Sequence, residues 1–186
     1  EFMQHSGPGN ASGALEARKV FVETWGCQMN ELDGRRFVGL MRNAGWGEAQ
    51  APEEADLILL NTCSIRDKAE QKVYDRLGRL AVLKRQKPSL RMGVCGCVAQ
   101  QEGQKLLDRL PYVDFVLGTG RIEALPAIVR RVEEEDDRPC EIGFDPDEVA
   151  YTPTAIAMDV AYKAKITVIE GCNKNCTFCV VPFTRG

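Results

Sequence analysis

From Lys19 onward, short apolar runs alternate with longer stretches in which apolar residues recur every three to four positions. Val20 to Val22, Leu57 to Leu60, Met92 to Cys95 and Phe115 to Leu117 are each strand-sized. Between and after them, Leu32 to Ala44, Ser64 to Gln86, Ala99 to Leu110 and Pro126 to Glu135 carry helical periodicity. In the second of these, Ile65, Ala69, Val73, Leu77, Leu80 and Ala81 share one face, and Ser64 with Asp67 makes a capping-box start. Strands alternating with helices of this length predict βαβ units with right-handed crossovers. The expected fold class is therefore α/β: a flavodoxin- or Rossmann-like, mostly parallel sheet with helices on both faces.

The pattern fails at both ends. Glu1 to Ala17 is rich in Gly, Ser and Asn and reads as a tag or loose tail, so the leader is set at residues 1–18 and the α/β domain at 19–136. Glu133 to Asp137 is a run of five acids, after which prolines and small residues break any period; residues 137–162 read as a linker. Ala164 to Ile169 is a strand candidate opening a second domain at 163–186, too short to bury a core of its own.

Composition narrows the chemistry. With 44% hydrophobic and 27% charged residues the chain is ordinary globular material, and its net charge of −3 excludes a generally basic coat for nucleic acid. No apolar run approaches the roughly 20 residues that span a bilayer and no secretory pattern opens the chain, so a cytoplasmic location and no membrane partner are expected. Eight cysteines in such a chain are expected to be reduced, and so ligands or reactive groups before disulfides. The one histidine, His5, lies in the leader, which removes Ser-His-Asp and Cys-His nucleophile schemes and imidazole-ligated zinc.

Cys172-Asn-Lys-Asn-Cys176-Thr-Phe-Cys179 follows the last strand candidate directly. Without a nearby histidine or fourth cysteine it fits a closed zinc site poorly; three thiolates can instead hold three corners of a four-iron cubane and leave one iron open. Cys27, Cys63 and Cys97, about 35 residues apart, each follow one of the first three strand candidates. Carboxyl ends of neighbouring parallel strands form one crevice, so these three can converge on a second site; spacing leaves open that they are small buried thiols packing as apolar groups. Cys95 reads as core and Cys140 as a bystander. Gly118-Thr-Gly120 lacks the third glycine of a dinucleotide loop.

The Cys172 to Cys179 triplet, with Phe178 before its last cysteine, resembles the radical S-adenosylmethionine superfamily. The segments FVETWGCQMNELD, LLNTCSIRDKAEQKVYDRLGRL, GVCGCVAQ and EGCNKNCTFCVVPFTRG are similar to the methylthiotransferase family within it, and to its MiaB type. Trp25 stands where that family commonly has tyrosine. The resemblance implies two 4Fe-4S clusters, an auxiliary one on Cys27, Cys63 and Cys97 and one on Cys172, Cys176 and Cys179 that binds S-adenosylmethionine beside Phe178. It implies that residues 163–186 open a partial βα barrel, most of which is absent, so this chain alone should not turn over. It also implies radical-based methylthiolation at C2 of an N6-isopentenyladenosine next to a tRNA anticodon, with an electron donor such as a flavodoxin; a monomer is expected. Sister branches act on threonylcarbamoyladenosine in tRNA or on a ribosomal-protein aspartate. The alternative of another class is a flavodoxin-like binding or electron-transfer module with structural cysteines.

From Arg66 to Arg91 nine Lys/Arg face three Asp/Glu, a local +6 in a negative chain. Lys68, Lys72 and Arg76 repeat at four-residue steps and are candidate contacts to tRNA phosphates, against the plain alternative of a solvated face helped by Asp75–Arg79 pairing.

Overall fold

The structure is a computed structural model that describes residues 18–64, 69–144, 167–174 and 176–186. The four apolar runs become β1 (Lys19–Thr24), β3 (Leu57–Thr62), β4 (Arg91–Gly96) and β5 (Phe115–Leu117), and two-residue strands β2 (Gly47–Glu48) and β6 (Cys140–Glu141) close the edges. All pairings are parallel and the strand order is β2-β1-β3-β4-β5-β6. The edge strands escape the apolar pattern because two residues carry no period. β6 lies inside the stretch read as linker, and Gly118 N–H donates to its Glu141 carbonyl at 2.7 Å.

Leu57 to Leu60 are buried without alternation because both faces of β3 are covered. Leu57 and Leu59 pack with Phe37 and Met41 of α1 (Gln28–Asn43) and Ile128, Val129 and Val132 of α5 (Leu125–Glu134). Ile58 and Leu60 pack on the other face with Val73, Leu77 and Leu80 of α2 (Ala69–Gln86) and Leu106 and Leu107 of α4 (Gln104–Arg109). Each such fully buried side chain contributes about 1.5–3 kcal/mol. The expected doubly covered α/β sheet is the observed one.

The helix expected over Ala99 to Leu110 is two helices, α3 (Cys97–Glu102) and α4, broken at Gly103. Gly103 has φ +48°, and a side chain there would meet Ile142 Cδ1 at 2.8 Å, so the break admits the segment after β6. α1 starts earlier than expected because the polar turn after Cys27 is already helical. The capping-box start of α2 falls on 64–68, of which only Ser64 is described, outside the helix. Of the strand expected at Ala164 to Ile169, residues 167–169 are described and form no strand; they continue irregularly to the short α6 (Val181–Arg185). The leader and most of the linker lie outside the described residues.

Candidate metal centre

β1, β3 and β4 are neighbours, with Thr24 opposite Asn61 and Thr62 opposite Gly96. Cys27 is the residue before α1, Cys63 the residue after β3, and Cys97 the first residue of α3, so all three stand at strand carboxyl ends. The order reverses between β1 and β3, and that switch point opens the crevice in which such sheets bind ligands. Two glycines draw the turns together. Gly26 has φ +147° and a side chain there would lie 2.6 Å from Cys63 Cβ; Gly96 has φ +90° and a side chain there would lie 2.5 Å from the Thr62 carbonyl. The Cys27 turn is thereby pressed onto Cys63, and the Cys97 turn onto the end of β3.

Behind the cysteines lies a buried amide network that carries no motif in the sequence. Asn30 Nδ2 donates to Asn61 Oδ1 at 3.3 Å and to the Thr62 carbonyl at 3.1 Å, and Asn61 Nδ2 donates to the Asn30 carbonyl at 2.7 Å. The Asn30 Oδ1 accepts from the Cys27 N–H at 3.4 Å, the backward half of a capping box. An Asn three residues into a helix is the only trace of this in the sequence. Its partner at Asn61 is set by strand pairing.

Cys63 and Cys97 are buried and Cys27 half-buried. Burial pushes the Cys97 thiol above its ordinary range; Arg185 opposes this and Cys63 adds to it. Arg185 arrives from α6, where its Nη1 donates to Asp33 Oδ2 of α1 at 2.6 Å. Burial raises the Asp33 carboxyl, against the pull of Arg185 and Arg36. Neither Asp33 nor Arg185 carries a sequence signal, because a lone acid and a lone base 152 positions apart meet only in the fold.

Cys95 is fully buried among Leu57, Leu59 and Phe115, as expected of a core thiol, and burial holds it far above its ordinary range. Cys140 is half-buried on β6. In the C-terminal loop the Cys172 N–H donates to the Gly186 carbonyl at 2.8 Å and the Cys179 N–H to the Cys176 carbonyl at 3.0 Å. Cys176 is exposed, and Phe178 is 95% exposed. Among the described residues no three His, Cys, Asp or Glu side chains stand arranged to hold a metal ion, so neither triplet is a preassembled tripod. The residues of the first triplet nonetheless fit a cluster in donor chemistry, in the convergence of their turns, and in one polar neighbour: the Arg185 guanidinium hydrogen-bonds the Cys97 side chain, while its buried Nη2 has no partner among the described residues. A ligand sulfur is the acceptor such a donor suits.

Of the basic candidates, Lys72 is exposed and Arg76 grips Glu23 of β1 at 2.9 Å and 2.7 Å; Lys68 lies outside the described residues. Asp75 accepts from Gln71 at 3.1 Å. Among the described residues no helix is long and apolar enough to cross a membrane.

The profile of the family described as "Uncharacterized protein family UPF0004" matches residues 19–118. The chain is 44% identical over 172 residues to the tRNA-2-methylthio-N(6)-dimethylallyladenosine synthase of Syntrophotalea carbinolica, covering 91% of this chain and 39% of that protein. Proteins of the same name from Aeromonas salmonicida and Vibrio cholerae are 44% and 42% identical, again over 91% of this chain and 36% of theirs. The chain thus spans well under half the length of these relatives.

Proposed function

Because the chain belongs to the UPF0004 family, and is 44% identical to synthases of which it spans 36–39%, we propose that it is the sulfur-inserting portion of a radical S-adenosylmethionine tRNA methylthiotransferase. The observation that carries the reading is the placement of Cys27, Cys63 and Cys97 at the carboxyl ends of three adjacent strands around the switch point. These thiolates would hold an auxiliary 4Fe-4S cluster, and Cys172, Cys176 and Cys179 a second one that binds S-adenosylmethionine near Phe178. When bound, these groups supply the radical that breaks the C2–H bond of N6-isopentenyladenosine and the sulfur and methyl that replace the hydrogen.

The chain's own part is to hold and orient. Gly26 and Gly96 let the cysteine turns close on one another, and the Asn30–Asn61 pair fixes the backbone from which Cys27 and Cys63 project. Ligand binding and local ordering are coupled, so the thiols need not be prearranged before the metal arrives. Of the sequence candidates, Lys72 is exposed on α2 and would meet tRNA phosphate, whereas Arg76 is already committed to Glu23. The whole enzyme, a cytoplasmic monomer, would take electrons from a flavodoxin-like donor.

A second reading, a flavodoxin-like module with structural cysteines, draws on the burial of Cys63 and Cys97 and the lack of a preassembled tripod among the described residues. Anaerobic reconstitution with iron and sulfide separates the two. The Cys27→Ala, Cys63→Ala, Cys97→Ala triple variant should lose roughly four irons per chain relative to wild type. Unchanged iron content would leave the structural reading standing. For the full-length enzyme, isopentenylated anticodon stem-loops should gain a methylthio group while unmodified ones do not; transfer to a threonylcarbamoyladenosine stem-loop or a ribosomal protein instead would reassign the substrate.

A further inference from the structure

The C-terminal segment is not draped loosely on the α/β domain. Its contact runs through a chain of charged side chains that are mostly buried. Arg185 and Asp33, 10% and 3% exposed, pair at 2.6 Å. One turn further along α1, Arg36, 6% exposed, bridges Glu123 at 3.0 Å and Glu170 at 3.3 Å. Glu170 stands two residues before Cys172. Alongside, Thr119 Oγ1 donates to the Thr184 carbonyl, and the Gly186 carbonyl takes the Cys172 N–H, so the two ends of the cysteine loop are tied to one another and to the domain. The Arg185 guanidinium spans this contact: Nη1 is spent on Asp33, the group also hydrogen-bonds the Cys97 side chain, and Nη2 is buried with no partner among the described residues.

A buried guanidinium with an unpaired nitrogen costs stability unless an electron-rich acceptor arrives. We propose that Arg185, oriented by Asp33, is a positioning residue that docks the Cys172–Cys179 loop against the crevice and aims its free N–H at the sulfur of the Cys27, Cys63 and Cys97 site. The docking half stands on the ion pairs alone; the donor half rests on the proposed cluster. By reaching both sites, one side chain couples the placement of the second cysteine triplet to the first, and a positive donor at a cluster sulfur favours the reduced, more negative state of that cluster.

Two measurements on the full 186-residue chain test this. In the first, without metal, amide exchange is followed in Arg185→Gln, Arg185→Lys and Asp33→Asn. The Cys172 and Thr184 amides should exchange at least about tenfold faster in Arg185→Gln and Asp33→Asn, and less so in Arg185→Lys, which keeps the charge but not the fork. The β3 and β4 amides serve as the internal check that the fold is intact. Unchanged exchange at Cys172 and Thr184 would overturn the docking role. In the second, iron is reconstituted in a Cys176→Ala background that removes the second site, and the reduction potential of the remaining cluster is measured. Arg185→Gln should move it to more negative values and Arg185→Lys should restore it in part. An unmoved potential overturns the donor role; failure of the Cys176→Ala protein to bind iron overturns the cluster reading and the donor role together, while docking still stands or falls on the exchange rates.

Discussion

Gly26 shows what a single residue decides here. Its φ of +147° lies where other side chains are strained, and the space its missing Cβ leaves is filled by Cys63 Cβ, 2.6 Å from where that atom would be. Gly26→Ala should therefore cost on the order of 1–3 kcal/mol in chemical unfolding and reduce iron uptake at the first site, without altering the Cys172 loop. Asn30 acts in the same neighbourhood by hydrogen bonding: its amide serves Asn61, the Thr62 carbonyl and the Cys27 N–H at once. The cysteines themselves were legible in the sequence because each ends an apolar run. The residues that shape their surroundings were not, since glycine and asparagine gain meaning there only from what stands opposite them.

Whole elements follow apolar periodicity, and their ends follow polar bonds. β1 and β3 are fed into the sheet at Asp56, whose carboxylate accepts from the Lys19 N–H at 2.8 Å and from Lys87 Nζ at 2.6 Å. Partial burial raises the Asp56 carboxyl, but the Lys87 and Lys19 hydrogen bonds and the charges of Lys87 and Arg18 outweigh it, so the net shift is downward. A carboxyl lowered in the folded state adds stability above its unfolded value of about 3.9, and this stability disappears as pH falls through the folded value. Asp56→Asn should accordingly lower Tm by a few degrees at pH 7, and the difference from wild type should shrink as pH falls below the ordinary carboxylate range and through the lowered folded value. Thermal melts across that range check it. Strand identity was open to prediction at four places and closed at β2 and β6, where two residues join a sheet only because a neighbouring strand offers free carbonyls and amides.

For the molecule as a whole, charge placement matters more than total charge. The net value is −3, yet α2 presents Lys72, Arg79 and Arg85 to solvent while Arg76 is turned inward to Glu23. If that face meets tRNA, Lys72→Glu in the full-length enzyme should weaken binding of an anticodon stem-loop and flatten its salt dependence by roughly one unit of slope for each phosphate no longer neutralised. Titrations at several salt concentrations would show it, and an unchanged slope would move the interface elsewhere. Apolar periodicity alone determined that this chain folds as a parallel α/β sheet covered on both faces, and cysteine spacing placed thiols at three strand ends, because burial and pleat are local consequences of residue order. Only the tertiary structure decided that β1 and β3 flank the reversal of strand order, that Asn30 meets Asn61, and that Arg185 reaches Asp33 and Cys97. Those contacts join residues far apart in sequence, and a pairing between distant positions is fixed by how the layers pack, which no local pattern encodes.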